Sequence, residues 1–92
     1  QGAGSSAGDP APTVHMKGSS FQPQSASVKV GQTVVFVNDD TETHNVVAAD
    51  NGITSGDIAG GKSWQYKFTA AGTYNYVCTY HPWMKGTITA GK

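Results

Sequence analysis

Short segments with the pattern of β-strands follow one another along most of the chain, and glycine-rich or polar turns separate them. Val28 and Val30 alternate with polar residues, while residues 33–37 form a continuous apolar and β-branched run. Such a run is typical of a strand that is buried on both sides or nearly so. No stretch of helical length has the apolar period of about 3.6 residues. The pattern therefore predicts an all-β fold, a β-sandwich of about seven to eight strands.

The alternation and the turn residues also predict where the strands lie. Residues 50–61 are rich in glycine and carry aspartates, so they predict a long loop. Tyr74, Tyr76 and Cys78 share one face of a strand, because side chains alternate with a period of two. Tyr74 has two interpretations, a core aromatic residue or the tyrosine corner of a Greek-key sandwich. Strands are predicted at 13–17, 27–30, 33–37, 44–48, 62–69, 73–78 and 85–90.

The charges of the chain balance, because its six lysines are matched by six acidic residues. Neither a basic stripe nor a run of like charges indicates binding to nucleic acid or to an anionic membrane surface. No apolar run is long enough to span a membrane. The single cysteine cannot form an internal disulfide. The length of 92 residues suits one domain.

Residues 1–12 contain no large apolar side chain, so we interpret them as a flexible tether ahead of a folded domain at 13–92. Two interpretations of this segment stay open. It is an ordinary frayed terminus, or it is the stalk of a membrane-anchored or multidomain periplasmic protein. The chain begins at Gln1 without a methionine, so we expect a processed product, for which a removed signal peptide is one explanation. The expected location is periplasmic or otherwise extracytoplasmic.

One short stretch near the C-terminus carries three candidate metal ligands. Cys78 is the only cysteine, His81 follows three residues later, and Met84 follows three residues after that. Thiolate and thioether are soft ligands that hold Cu(I), and imidazole binds both Cu(I) and Cu(II), whereas zinc sites recruit more cysteines or histidines. The mixture favours copper, in the known arrangement of two histidines, one cysteine and a long axial methionine. One further histidine must therefore come from elsewhere in the chain.

The two other histidines are His15 and His44. His15 lies in the first predicted strand, where an ordinary surface or edge-strand histidine is the expected role. His44 follows a polar loop and opens a predicted strand, which puts it at one end of the sandwich. Loops at a sandwich end bring distant sequence positions together. His44 is therefore the candidate fourth ligand.

Three motifs of the chain belong together: His44-Asn45-Val46, the segment Gly72-Thr73-Tyr74-Asn75-Tyr76-Val77-Cys78, and the spacing Cys78-x2-His81-x2-Met84. They resemble those of the cupredoxins, which are blue copper proteins. The short spacing between His81 and Met84 is most similar to that of amicyanin, whereas plastocyanin and pseudoazurin, the next relatives, have a longer spacing. The resemblance extends over residues 13–90, essentially the whole predicted domain.

The resemblance implies a Greek-key sandwich that binds one copper ion through His44, Cys78, His81 and Met84. It also implies that the backbone N–H of Asn45 donates a hydrogen bond to the cysteine sulfur, a contact that would tune the reduction potential. The implied function is that of a mononuclear blue (type 1) copper protein, which shuttles single electrons by Cu(I)/Cu(II) cycling. The resemblance thus leads us to expect an electron carrier and not an enzyme, with redox proteins such as a cytochrome, a dehydrogenase or an oxidase as its partners.

The sequence departs from amicyanin beside the ligands, with Tyr80 in place of a proline and Trp83 in place of a phenylalanine. The ligand loop is expected at the sandwich end, so we expect Tyr80, Pro82 and Trp83 to form an apolar collar around the exposed edge of His81. An exposed apolar patch marks an interaction site, so the collar is the expected docking surface for a partner. The acidic loop that leads into His44 is expected to steer a basic partner, and salt would screen this effect. Its acidic residues are Asp39, Asp40 and Glu42.

The main alternative function is copper binding for storage, delivery or sensing. Such proteins usually have exposed sites and tracts rich in methionine or histidine, but this chain has only two methionines. A copper enzyme needs further histidines for a second copper, and only His15 remains. A binuclear copper centre needs a second cysteine, which the chain lacks. A Cys/His hydrolase is disfavoured because its catalytic pair normally comes from separated segments.

Overall fold

The structure, a computed structural model, describes residues 11–91, which are almost entirely β. Nine strands lie within these residues, together with one short 3₁₀-helix at Ala49–Asn51. The strands are β1 (Thr13–Met16), β2 (Phe21–Gln22), β3 (Ser25–Lys29), β4 (Thr33–Asn38), β5 (Val47–Ala48), β6 (Ile53–Thr54), β7 (Ser63–Lys67), β8 (Gly72–Cys78) and β9 (His81–Gly91).

The strands form two sheets that enclose one hydrophobic core. One sheet has five strands in the order β3-β9-β8-β5-β6, and the other has four in the order β2-β1-β4-β7. Strand β3 pairs with β9 and β1 pairs with β4 in parallel, whereas the other pairs are antiparallel. Because consecutive strands often change sheet, the arrangement confirms the predicted Greek-key β-sandwich.

Strand alternation builds the core as the sequence predicts. In β8, the side chains of Tyr74, Tyr76 and Cys78 are all buried. In β4, Val34 and Phe36 are fully buried, whereas the residues that alternate with them are half-buried. The apolar run of β4 is thus covered completely on one face and only partly on the other.

The region around His44 differs from the prediction. The strand predicted at 44–48 is only Val47–Ala48, because the backbone of His44 pairs with Ile58 in an isolated bridge instead. The loop predicted at 50–61 contains β6 and the end of the 3₁₀-helix. The bridge joins two irregular segments that local sequence patterns do not connect. Strands β5 and β6 pair with each other but have only two residues each, too few to show alternation.

The last strand is also longer than predicted. Strand β9 begins at His81, before the predicted start at 85, because His81 pairs with Cys78 across a tight turn. Strand β2 was not predicted, since a two-residue strand is too short to show alternation. The structure therefore has more strands than expected within the same sandwich.

The predicted tether ends close to the start of the sheet. Its residues 1–10 lie outside the described residues. Pro12 already belongs to the sheet margin, since its carbonyl oxygen accepts a hydrogen bond of 2.9 Å from Val35 N–H. Across residues 11–91, no helix has the length and apolarity that a membrane crossing requires.

Two buried tyrosines of β8 differ in how their hydroxyl groups are satisfied. The Tyr74 ring packs against Phe68 with 4.8 Å between centroids, and its hydroxyl donates to the backbone oxygen of Ala70. Tyr74 is thus both a core aromatic residue and a tyrosine corner. The Tyr76 hydroxyl is buried and has no hydrogen-bond partner among the described residues. Burial raises the pKa of Tyr76 above its ordinary value.

Removing these two hydroxyl groups should change the free energy of unfolding in opposite directions. Tyr76→Phe removes an unpaired buried hydroxyl, so we expect stability to rise by up to about 1 kcal/mol. Tyr74→Phe removes the hydrogen bond to Ala70, so we expect a loss of about 1 kcal/mol. Urea unfolding of the copper-free variants measures both changes. A destabilised Tyr76→Phe would mean that the Tyr76 hydroxyl has a partner.

Candidate metal centre

Three of the predicted ligands lie on a tight hairpin rather than on the loop that the sequence suggested. Cys78 ends β8 and pairs directly with His81 at the start of β9, so only two residues form the turn between them. The register of the two strands then shifts between His81 and Lys85, and Met84 lies within this irregularity. A bulge re-aims side chains, so His81 and Met84 can serve one site although they are an odd number of residues apart.

His44 reaches the site from the connection between β4 and β5. Its backbone N–H donates to the carbonyl oxygen of Ile58 at 3.0 Å, and its own carbonyl oxygen accepts from Ile58 N–H at 2.8 Å. The side chain of His44 is completely buried. The backbone at this position is therefore fixed by two hydrogen bonds before any metal binds.

Three donor atoms converge at this end of the sandwich. Cys78 Sγ lies 3.6 Å from His44 Nδ1 and 3.7 Å from His81 Nδ1. The ligand atoms of these residues all lie within 4.8 Å of one another. The sulfur–nitrogen separations are shorter than the sum of two metal–ligand bonds of about 2.0 to 2.3 Å each. One ion can therefore bind the sulfur and both nitrogens.

The donor set fits copper. Met84, the fourth predicted ligand, is 1% exposed and belongs to the same buried cluster as Cys78. No carboxylate belongs to the ligand cluster in the described part of the chain, although a hard cation such as Ca²⁺ or Mg²⁺ requires oxygen ligands. Two imidazoles, a thiolate and a weak axial thioether are the ligands of a blue copper site.

His15 lies away from this cluster, in agreement with the sequence analysis. It is on β1, its side chain is 50% exposed, and its Nδ1 lies 2.6 Å from Oδ2 of Asp39. It is not among the residues that gather around Cys78. Asp39, which we expected in a docking surface, is therefore paired with His15.

Asn45 links the two ligand-bearing segments through its side chain. Its amide Nδ2–H donates to Thr79 Oγ1 at 2.8 Å, and its Oδ1 accepts from Thr79 N–H at 2.8 Å. The hydrogen bond from the backbone N–H of Asn45 to the Cys78 sulfur, which the resemblance implies, stays a prediction. Thr79 was not among the predicted site residues. An asparagine after one ligand and a hydroxyl residue after another is the signal that could have identified this pair.

The carboxylate of Asp40 faces His44. Asp40 Oδ2 lies 2.8 Å from His44 Nε2, and the Asp40 side chain is only 18% exposed. The N–H groups of Gly18 and Ser19 also donate to this carboxylate. Burial acts to raise the pKa of Asp40, but the hydrogen bonds from Ser19, His44 and Gly18 together hold it below its ordinary value. Asp40, which we expected in the docking surface, thus contacts a copper ligand instead.

The surface around His81 is apolar, with an acidic residue at its margin. Trp83 is 68% exposed and Tyr80 is 52% exposed, and Pro82 is exposed as well. The Trp83 ring lies edge-on to the His81 ring, with 5.1 Å between centroids. Glu42 Oε1 lies 3.5 Å from His81 Nε2.

Tyr80 also connects the ligand hairpin to a neighbouring loop. Its hydroxyl donates to the carboxylate of Asp57, which lies between β6 and β7. This hydrogen bond raises the pKa of Tyr80. Sequence reasoning did not single out Asp57, because the partner is 23 residues away and no local pattern marks it.

Comparison with known proteins identifies the family. The model of the cupredoxin-like domain matches residues 1–90. A plastocyanin from Scenedesmus fuscus is 39% identical over an alignment of 82 residues, and the match covers 75% of this chain and 84% of that protein. Amicyanin-alpha from Methylorubrum extorquens is 34% identical over an alignment of 73 residues, and the match covers 74% of this chain and 61% of that protein. The chain thus spans less than two thirds of the length of this second relative.

Solved structures share the fold. A Cu(I) structure of an amicyanin variant superposes with a TM-score of 0.82 at 31% identity, covering 97% of this chain and 90% of that chain. A Cu-containing nitrite reductase from Thermus scotoductus superposes with a TM-score of 0.83 at 34% identity. That match covers 91% of this chain but only 23% of the nitrite reductase.

These findings establish the class of protein. The chain belongs to the cupredoxin-like domain family. His44, Cys78, His81 and Met84 form its copper-binding site, which has the ligand set of a type 1 (blue) centre. Within the family it is similar to plastocyanin and to amicyanin, and it is an electron-transfer protein. Bound copper supplies the one-electron change between Cu(I) and Cu(II).

Cys78→Ser should abolish the intense visible absorption of the Cu(II) protein. The band arises from charge transfer between the thiolate sulfur and copper, and serine has no sulfur. His15→Ala is the control, since His15 contacts Asp39 rather than the ligand cluster, and its visible spectrum should match the wild type. Absorption spectroscopy of the Cu(II)-loaded variants measures both. An intact band in Cys78→Ser would exclude Cys78 as the ligand.

Proposed function

We propose that this domain exchanges electrons with protein redox partners through the exposed edge of His81, and that Tyr80, Pro82 and Trp83 form a docking collar around that edge. The observation that carries the proposal is the exposure of Trp83, 68%, directly beside a copper ligand. Tryptophan is highly buried on average, and an exposed apolar patch marks an interaction site.

Burial of the other ligands supports the same route. His44, Cys78 and Met84 are each 1% exposed or less, whereas the His81 side chain is 18% exposed. His81 is therefore the ligand that a partner can approach most closely. Redox encounters use small interfaces that release quickly, and a collar of three exposed side chains suits such an encounter.

Acidic groups beside the collar support a partner with basic residues. Glu42 is 66% exposed and lies 3.5 Å from the His81 ring. Asp57 is exposed and accepts the hydroxyl of Tyr80. We propose that Glu42 steers the partner electrostatically.

We propose that the domain is not an enzyme by itself. The chain has three histidines, and with His44 and His81 as ligands only His15 remains, which is too few for a second copper site built of imidazoles. The similarity to a nitrite reductase concerns only 23% of that protein. Storage or delivery of copper is less well supported, because such functions favour an exposed ion and the described ligands are mostly buried.

We further propose that the protein is a monomeric carrier in the periplasm or another extracytoplasmic compartment. Its similarity to amicyanin and plastocyanin supports this assignment. Osmotic-shock fractionation of the source cells tests the location, and sedimentation of the copper-loaded protein tests the oligomeric state. Retention with cytoplasmic markers would contradict the proposed compartment.

Trp83→Lys should slow electron self-exchange between the Cu(I) and Cu(II) forms by about tenfold or more, because the apolar contact between two collars would then require desolvation of two ammonium groups. The visible band should be unchanged, since Trp83 is not a ligand. NMR line broadening in mixtures of the two forms measures the rate. Val30→Lys is the matched control, because Val30 is 43% exposed and its N–H bonds to Gly91 at the far end of β9. If Trp83→Lys and Val30→Lys slow self-exchange equally, the collar is not the docking surface.

Glu42→Gln should slow oxidation of the Cu(I) protein by a cationic cobalt(III) phenanthroline complex at low ionic strength. It should speed oxidation by ferricyanide, because the same negative charge repels an anion. Both differences should fade at high salt, which screens exposed charges. Stopped-flow absorbance measures the rates. If Glu42→Gln changes the oxidation rates by the two reagents in the same direction, Glu42 does not steer charged partners to His81.

A further inference from the structure

The turn between β1 and β2 has a backbone conformation that favours glycine. Lys17 and Ser20 exchange backbone hydrogen bonds of 3.0 and 3.2 Å across it, and Gly18 and Ser19 have φ angles of 63° and 53°. Two positive φ angles in a two-residue hairpin loop are those of a type I′ turn. In the described part of the chain, Ser19 is the one residue other than glycine with a positive φ. Such a conformation persists when surrounding contacts hold it.

The carboxylate of Asp40 provides such contacts. Asp40 Oδ1 accepts a hydrogen bond from Gly18 N–H at 2.8 Å, and Oδ2 accepts one from Ser19 N–H at 3.0 Å. Oδ2 also lies 2.8 Å from Nε2 of His44. One carboxylate thus joins the turn to a fully buried copper ligand. Hydrogen bonds to an ionised acceptor are stronger than those between neutral groups.

The backbone around Asp40 is fixed as well. Asn38 is fully buried, donates to the carbonyl oxygen of Glu42 at 2.7 Å and accepts from Asp40 N–H at 2.9 Å. Gly60 packs so closely that a Cβ at this position would lie 2.6 Å from the carbonyl oxygen of Asp40. The backbone of Asp40 is thus fixed, and rotation of its side chain away from His44 would break the hydrogen bonds from Gly18 and Ser19 to the carboxylate.

We propose that Asp40, held by the Gly18–Ser19 turn, is a positioning residue that orients His44 for copper and favours the oxidised state of the site. With Nε2 donating to Asp40, the other ring nitrogen Nδ1 is left free, and it faces Cys78 Sγ at 3.6 Å. A carboxylate partner increases the basicity of a ligating imidazole. A harder, more basic nitrogen donor favours Cu(II) over Cu(I). The inference rests on the binding of copper through His44.

Asp40→Asn tests the proposal, and Asp39→Asn is its matched control. Asparagine at position 40 keeps the shape of the side chain, but it removes the charge and turns an NH₂ group toward donors that need an acceptor. The control removes the same charge one residue earlier, where the carboxylate contacts His15 instead of a copper ligand. The measurements are Cu(II) affinity by chelator competition, reduction potential by voltammetry, and the amide resonances of Gly18 and Ser19 in the Cu(I) protein.

Asp40→Asn is expected to lower the affinity for Cu(II) by about 10- to 100-fold, as is typical of partners behind a metal ligand. The affinity for Cu(I) should fall less, so the reduction potential should rise while the visible band persists. The Gly18 and Ser19 resonances should move. Asp39→Asn should keep the wild-type affinity and resonances, and its potential should shift less, because an exposed charge is screened. Asp40→Glu keeps the charge and should give values between those of the wild type and Asp40→Asn.

Equal shifts in Asp40→Asn and Asp39→Asn would overturn the proposal, as would an unchanged affinity and potential in Asp40→Asn. If Asp40→Asn does not fold, Asp40→Glu decides: an affinity below that of the wild type supports the proposal, and wild-type affinity and potential overturn it. Absence of the visible band from the wild type itself would instead refute copper binding at this site, so the two failures are distinguishable.

Discussion

Two hydrogen bonds between Asn45 and Thr79, each 2.8 Å long, hold together the two chain segments that supply the copper ligands. One partner follows His44 and the other follows Cys78, and the two ligands are 34 residues apart in sequence. Because each bond joins the Asn45 side chain to a different atom of Thr79, the pair fixes both the distance and the relative direction of the segments. The link lies one residue beyond each of the two ligands, whose donor atoms His44 Nδ1 and Cys78 Sγ are 3.6 Å apart.

The remaining contacts fix each ligand on its own side of that link. His44 is held through its backbone by Ile58 and through its ring by Asp40. Cys78 and His81 are held by direct pairing of β8 with β9. A site built on strands is more precise than one built on loops. A protein that only changes the oxidation state of its metal benefits from such rigidity, because ligands that stay in place need little rearrangement when an electron arrives.

The fold and the ligands Cys78, His81 and Met84 could be predicted because their signals are local, and His44 was chosen from the two remaining histidines. The period of two in the strands and the short Cys-x2-His-x2-Met spacing need no knowledge of distant residues. The bridge between His44 and Ile58 could not be predicted, since it joins two irregular segments. The role of Asp40 was equally hidden, because its partner Gly18 lies 22 residues earlier and a charged loop residue ordinarily faces water. The exposure of Trp83 was expected from its place beside His81 at the sandwich end, although tryptophan is usually mostly buried.

Crystal structures of the Cu(I) and Cu(II) forms at neutral pH test most directly the claim that the fold presents its ligands in a preformed arrangement. The account predicts that the ligand atoms of His44, Cys78 and His81 differ in position by less than about 0.5 Å between the two forms. The contacts of Asn45 with Thr79 should be the same in both. A displacement of His44 or Cys78 by about 1 Å or more between the two forms would contradict it.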